Sequence, residues 1–455
     1  MLEASLERKY SASPGETFFT GGGAHTFGNF DRADDRKVMT IREGFQNSVN
    51  LVFIRLMRDV VTNLLYGADT SLAVRLGDPL DPRRDRYLTR FADREGSEFV
   101  RRFYRKYQGL ALDASLDLVL GGARATPNGL ATALRSVYPE VSPEIFRELL
   151  VARLPGRALV ELLDHLVGQR ADPQAMPLAD RGYVAGVHPL ELWLVSYLRR
   201  HPGAGISQVV RASSAERQAV YGWLFFTRHR NAQDNRIASL LEIEAFLDLH
   251  RSWERLGYPF ASLTPSLATA IGSSGDRPAA LAELMGIILN DGVRLPTVLV
   301  DGLDFGVGTP YETHLGRAEV PATQVLAPEV ATVVRGMLTQ VVELGTARGL
   351  RPALAPPGGT PHVAGGKTGT GDHRYFVYSK SGAVVESRVV SRAATFVFML
   401  DNRYFGTVTA YVPGPEAARF HFTSALPVRV TGLLMPALDG LSSPAPTPAA
   451  ASASP

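Results

Sequence analysis

The chain has 455 residues, 45% of them hydrophobic and 20% charged, with a net charge of +3 at neutral pH. That is enough for a large core and two or three structural units of ordinary globular composition. With no cysteine at all, disulfide frameworks and thiolate metal sites are excluded, and no basic block interleaved with aromatics points to nucleic acid.

The chain starts with a polar amphipathic stretch, Leu2 to Lys9, that lacks the apolar core of a signal peptide. No run of about 18 apolar residues occurs, so no transmembrane helix is expected. Residues 10–40, rich in Gly, Ser, Thr and Asp, read as loop. Thr40-Ile41-Arg42-Glu43 has capping-box spacing and opens a helix whose apolar stripe includes Ile41, Phe45, Val49, Val52, Phe53 and Leu56. Residues 60–260 are mostly helical in pattern, broken at "GDPLDPRRD" and "GQRADPQAMP". The Arg-rich stretch Tyr87 to Tyr107 reads as a solvated helix. Two similar phrases, 121–134 and 272–285, each place Pro six residues after Gly and read as loop-to-helix entries with Pro in the first turn.

Beyond residue 290 the pattern changes. A helix over 330–346 is stopped by Gly345, and strands are expected at 375–379, 383–390, 393–400 and 406–412. Ser381-Gly382 and "DNRYFG" are the turns between them, which makes the sheet antiparallel. A last helix covers 424–435, and the Pro/Ala/Ser-rich tail from 441 is expected to be disordered. Helices, then an antiparallel sheet, then a closing helix define an α+β fold.

Two short motifs could carry chemistry. Lys367-Thr368-Gly369-Thr370 matches K-T-G, one of the three elements S-x-x-K, S-D-N and K-T-G of penicillin-recognising serine enzymes. On a strand, Thr368 and Thr370 share one face, and Gly369 leaves room for a substrate peptide. Threonine hydroxyls bind carboxylates, and a free strand amide can serve an oxyanion. The alternative is a Gly-rich turn before a hairpin. Lys380-Ser381-Gly382 fits K-[ST]-G as well, but reads as the hairpin turn. The second motif is Ser48-Val49-Asn50, an S-x-N. Residues two apart on one helix point about 200° from each other, so the pair faces one site only if the helix breaks near Asn47. An unbroken helix with both residues on its polar face is equally compatible with the pattern.

The segment "MTIREGFQNSVNLVFIRLM" resembles the surroundings of the second motif in the transpeptidase domain of class A penicillin-binding proteins. "VVELGTARGL" followed by "VAGGKTGTG" resembles the approach to the third motif, residues 265–296 the intervening stretch, and "FGNFDR" the loop before the second motif. The resemblance implies a penicillin-binding transpeptidase, serine β-lactamase-like fold: an antiparallel sheet flanked by helices, N-terminally incomplete. It implies transpeptidase segments at 1–60 (with S-x-N) and 261–440 (with the KTGT strand), a helical insertion or extension at 61–260 and a tail at 441–455. It also implies acyl transfer from a D-Ala-D-Ala peptide through a serine to a neighbouring strand's amine. By the same resemblance Ser48 would relay protons to the leaving amine, Asn50 would hold the substrate amide, and Lys367 would hold Ser48 electrostatically. Thr368, Gly369 and Thr370 would bind substrate, the threonines taking the terminal carboxylate and furnishing the oxyanion amide. Implied partners are peptidoglycan stem peptides, β-lactams and cell-wall synthesis proteins, at the periplasmic or extracytoplasmic face of the inner membrane. No cofactor and no nucleic acid is implied, and membrane contact would run only through an upstream anchor.

The chain departs from that pattern at the nucleophile, a serine whose S-x-x-K lysine takes its proton. Three residues before the five lysines stand Leu6, Asp34, Phe103, Ala364 and Val377, so S-x-x-K is absent. Ser48 does not replace it, because Leu51 stands three residues on. "LEASLERKY" resembles the helix just after S-x-x-K, and a truncated or mis-started frame accounts for the missing serine, glycosyltransferase domain and anchor together. Alternatives are a non-catalytic pseudoenzyme acting as a wall-binding or scaffolding module, and a serine β-lactamase or D,D-carboxypeptidase relative. The histidines form no H-x-x-x-H pair, so no metal is expected. The G-K-T at 366–368 lacks the first P-loop glycine, because Pro361 stands there.

Overall fold

The computed structural model describes residues 1–20, 23–68, 71–152, 176–295, 297–316, 321–355, 361–378 and 384–442. Lys380-Ser381-Gly382, most of "GQRADPQAMP" and the tail beyond Ser442 lie outside these residues. The chain forms two units, Met1–Gly67 with the chain from Glu242 onward, and Ala68–Leu241. The limits of the second unit sit inside the stretch 61–260 read above as an insertion.

In the first unit, helix α1 (Leu2–Leu6) leads into β1 (Lys9–Ser11), β2 (Thr17–Thr20), β3 (Gly23–Thr26) and β4 (Val38–Thr40). Residues 10–40 are therefore not simply loop: β1 pairs antiparallel with β4, and β2 with β3. Strands this short, in a segment full of Gly and Ser, leave little alternation to read. Thr40 ends β4 and caps α2 (Ile41–Asn47) with the expected capping box to Glu43. A second helix, α3 (Asn50–Tyr66), follows.

Among the described residues the second unit is helical. Its helices are α4 (Leu72–Leu76), α5 (Arg83–Tyr107), α6 (Leu112–Gly122), α7 (Pro127–Val137), α8 (Pro143–Val151), α9 (Leu178–Ala185), α10 (Pro189–Arg200), α11 (Ile206–Ala212) and α12 (Ser214–Val220). Its end is the first part of α13 (Arg230–Arg255). The Arg-rich helix is not merely solvated. Tyr87, Leu88, Ala92, Gly96, Val100, Phe103 and Tyr107 of α5 are buried at helical spacing, while most of its charges face out.

In the remainder of the first unit come α14 (Pro278–Leu289), β5 (Val293–Arg294), β6 (Gly302–Phe305), β7 (Thr313–Gly316) and β8 (Thr323–Gln324). Then follow α15 (Pro328–Glu343), β9 (Ala364–Tyr378), β10 (Val384–Leu400), β11 (Tyr404–Pro413) and α16 (Ala425–Ser442). Pro127 and Pro278 both open their helices, as the repeated phrase suggests.

The main sheet is antiparallel in the order β11-β10-β9. The expected strands 383–390 and 393–400 are one continuous strand, because a bulge between Val389 and Ser391 absorbs the break in pattern. The KTGT strand and the expected strand at 375–379 likewise merge into β9. The "DNRYFG" turn shrinks to Asp401–Arg403, with Asp401 and Asn402 both at positive φ, as a tight hairpin turn requires. Alternate β10 side chains face opposite helices. Phe396 and Leu400 pack with Val428 and Met435 of α16, and Met399 with Met285 and Ile288 of α14. Helix α15 contributes Val341 and Val342 to the first cluster and Leu338 to the second. An antiparallel sheet with helices on both faces, in a chain that also forms a helical unit, is an α+β fold.

Candidate active site

The helix begun at Thr40 does break. Ser48 adopts a left-handed conformation, φ 56 and ψ 46, and Val49 is extended, so α2 ends at Asn47 and α3 starts at Asn50. An Asn-Ser pair tolerates such a corner better than the β-branched residue after it. Val49 offers no side-chain cap to α3. The preceding loop supplies one instead, Asn29 Oδ1 accepting from the Leu51 amide at 3.1 Å. Asn29 is itself fixed by bonds to the Ala12 carbonyl and Asp35.

Opposite the corner runs β9, the edge strand of the sheet. Its Gly365-Gly366 pair is needed for packing. A Cβ on Gly365 would come within 2.4 Å of Met399 Cε and 3.0 Å of the Thr339 amide of α15, and one on Gly366 would meet Phe396 at 2.5 Å. After α15 the chain passes Gly345, where a Cβ would lie 2.2 Å from the Gln46 carbonyl oxygen. This close approach brings Thr346 against the helix corner, its amide donating to Gln46 O at 3.3 Å.

Four side chains converge here. Lys367 Nζ donates a short hydrogen bond to Ser48 Oγ and a longer one, 3.3 Å, to the Thr368 carbonyl. Ser48 Oγ lies 3.4 Å from both Thr346 Oγ1 and Thr368 Oγ1, and these two hydroxyls are 2.6 Å apart. The Phe45 ring lies 5.5 Å below the lysine amine. Burial lowers the Lys367 pKa to about 8, with desolvation the cause. Among the described residues Lys367 has no ion pair.

The other expected site residues stand apart from this cluster. Asn50 Nδ2 donates to the Gly28 carbonyl at 3.0 Å, clamping the preceding loop to the start of α3. Thr370 is exposed, and its hydroxyl accepts from the Ser424 amide at 3.0 Å. Space beside Gly369 is open. Thr346 was not singled out from the sequence. Its signal was the Gly-Thr that follows a helix end in "VVELGTARGL", where a polar residue after a tight glycine has no core to enter. No group of three His, Cys, Asp or Glu able to hold a metal occurs among the described residues.

The site thus defined is a Ser-Lys-Thr polar cluster between a helix corner and the edge of an antiparallel sheet, all within one α+β unit. Solved penicillin-binding transpeptidase structures are similar to the chain. Penicillin-binding protein 3 from Mycobacterium tuberculosis, complexed with aztreonam, matches with TM-score 0.29 and 19% identity, over 44% of this chain and 49% of that one. The D,D-transpeptidase domain of a peptidoglycan glycosyltransferase from Eggerthella lenta matches with TM-score 0.27 and 19% identity, over 45% of this chain and 51% of that one. Penicillin-binding protein A from M. tuberculosis, a ceftriaxone acyl-enzyme complex, matches with TM-score 0.35 and 13% identity, over 95% of this chain and 57% of that one. The chain spans about half the length of the structures it matches. No protein-family model and no curated protein sequence matches it.

Proposed function

We propose that the first unit is the substrate-binding and proton-relay part of a peptidoglycan D,D-transpeptidase of the class A penicillin-binding type, acting at the extracytoplasmic face of the membrane. One observation carries this reading: the lysine of K-T-G reaches the serine of S-x-N across 319 positions of sequence. In this reading the terminal carboxylate of a D-Ala-D-Ala peptide lies against β9. Thr370 Oγ1 accepts from Ser424 N, which leaves its own proton to donate to that carboxylate. Lys367, protonated below about pH 8, adds positive charge beside it. Ser48, hydrogen-bonded to Lys367, passes a proton to the leaving amine. Asn50 turns its remaining amide capacity to the substrate backbone. The chain has no S-x-x-K, so by itself it binds such peptides and does not transpeptidate them.

The test is saturable binding of an N-acetylated D-Ala-D-Ala peptide to the intact protein, with benzylpenicillin competing. Thr370→Val is expected to weaken binding about tenfold, the effect of one hydrogen bond to a charged group. An intact protein with no saturable binding at millimolar peptide overturns the reading.

A further inference from the structure

We propose that Ser48 and Lys367 form a serine-lysine nucleophilic pair in their own right, able to take an acyl group from small activated esters. The reading above gives Ser48 only a relay role. This inference uses the same cluster but does not depend on the peptide ligand.

Ser48 stands alone at a helix corner, in left-handed backbone conformation, with Ser48 N bonded to the Phe45 carbonyl at 3.3 Å and Val49 N to the Gly44 carbonyl at 2.9 Å. Its Cα direction is thus fixed by the ends of two helices, and its side chain is only half-buried. A serine nucleophile needs an adjacent base within hydrogen-bond reach, held by further groups. Lys367 Nζ is that neighbour, and its own position is fixed by the Thr368 carbonyl and the Phe45 ring.

Among the described residues no carboxylate pairs with the lysine to trap its proton. Charged groups on the packed elements are engaged elsewhere. On α2, Arg42 pairs with Glu3 and Glu7, and Glu43 binds Thr40. On α15, Arg335 pairs with Asp291, while Glu329 and Glu343 are exposed. Val397 is the β10 partner of Lys367. Burial without a counter-ion lets the amine give up its proton near pH 8.

The step balances. Neutral Lys367 Nζ takes the Ser48 Oγ proton as Oγ bonds to the ester carbonyl carbon. The bond to p-nitrophenolate breaks, and the phenolate leaves with the electron pair. Lys367 then loses that proton to solvent, takes one from an attacking water and returns it to Ser48 Oγ as the acetyl group departs as acetic acid.

Two probes test this on the full chain. A fluorophosphonate, which loses fluoride to the attacking oxygen, should give one adduct, mapped by mass spectrometry to the peptide bearing Ser48. Hydrolysis of p-nitrophenyl acetate should rise with pH through an apparent pKa near 8. Lys367→Arg keeps a cation and its donors but cannot act as a base at this pH, so labelling should fall at least a hundredfold. An adduct elsewhere, or an unlabelled folded protein at pH 9, overturns the proposal, and neither readout on the unmutated chain depends on a variant folding. Peptide binding without a Ser48 adduct removes this proposal and leaves the first; an adduct without peptide binding does the reverse.

Discussion

Replacing Lys367 by Met should make the protein more stable at neutral pH while abolishing the proposed labelling of Ser48. The lysine pKa falls from 10.5 to about 8 on folding, through desolvation. At about 1.4 kcal/mol per pKa unit, keeping the amine charged in its pocket costs at most about 3.5 kcal/mol. The two lost hydrogen bonds, to Ser48 and to the Thr368 carbonyl, are worth about 1 kcal/mol each, so Lys367→Met should gain about 1.5 kcal/mol at pH 7. Between about pH 8 and pH 10.5 the folded protein binds fewer protons than the unfolded chain, so stability contributed at this position rises with pH. The penalty is present in full below that window and gone above it, and the advantage of the variant should shrink accordingly. Urea unfolding of both proteins at pH 7 and pH 10 measures the difference, with other titrating groups cancelling between them. A variant less stable than the parent at pH 7, or an advantage that does not change with pH, would refute the reasoning.

Gly345→Ala should destabilise the first unit by about 2 kcal/mol or more, because the new Cβ meets a backbone oxygen that cannot rotate away. A thermal melt reads this, and an unchanged Tm counts against the close approach. Thr40→Ala removes the N-cap of α2 and should cost about 1 kcal/mol in urea unfolding. His188 lies against Phe99 and Phe103, with ring centroids 4.3 and 5.2 Å away, and burial lowers its pKa from 6.5 to about 4. Its contribution is complete above pH 6.5 and lost as pH falls toward 4. The second unit should therefore weaken by up to about 3 kcal/mol on acidification, and His188→Asn, which keeps an acceptor for the Leu190 amide, should flatten that pH dependence in circular-dichroism melts.

What the sequence disclosed follows from how local each feature is. The capping box at Thr40 and the Pro-led helices at 127 and 278 depend on neighbours within one turn, and they could be read directly. The corner at Ser48 left two readings open, because what decides it lies elsewhere: Asn29 caps the new helix and Gly345 leaves room for Gln46. The β10 strand looked like two because a bulge shifts the period by one residue. Residues 10–40 hid their strands because pairing of β1 with β4 is made across a loop rather than within a pattern. On α5, the density of arginine masked a buried stripe of spaced apolar residues. Lys367 and Ser48 were both visible as motif residues, and their contact was implied by the family resemblance rather than by any local property of either. Thr346 follows a helix end in a Gly-Thr step, but its partners Ser48 and Thr368 lie far off in sequence.

That contact has a bearing on how the chain can grow. Ser48 and Lys367 are joined across 319 positions, and the helical unit Ala68–Leu241 occupies much of that span. The entropy of closing a loop rises only with the logarithm of its length, so halving the span would be worth about 0.6 kcal/mol. By this measure the length of chain in the helical unit Ala68–Leu241 adds less to the difficulty of bringing the serine and the lysine together than the loss of one helix cap. The interval between Gly67 and Glu242 is therefore a permissive place in the chain, where changes of length cost the contact of the serine and the lysine little closure entropy.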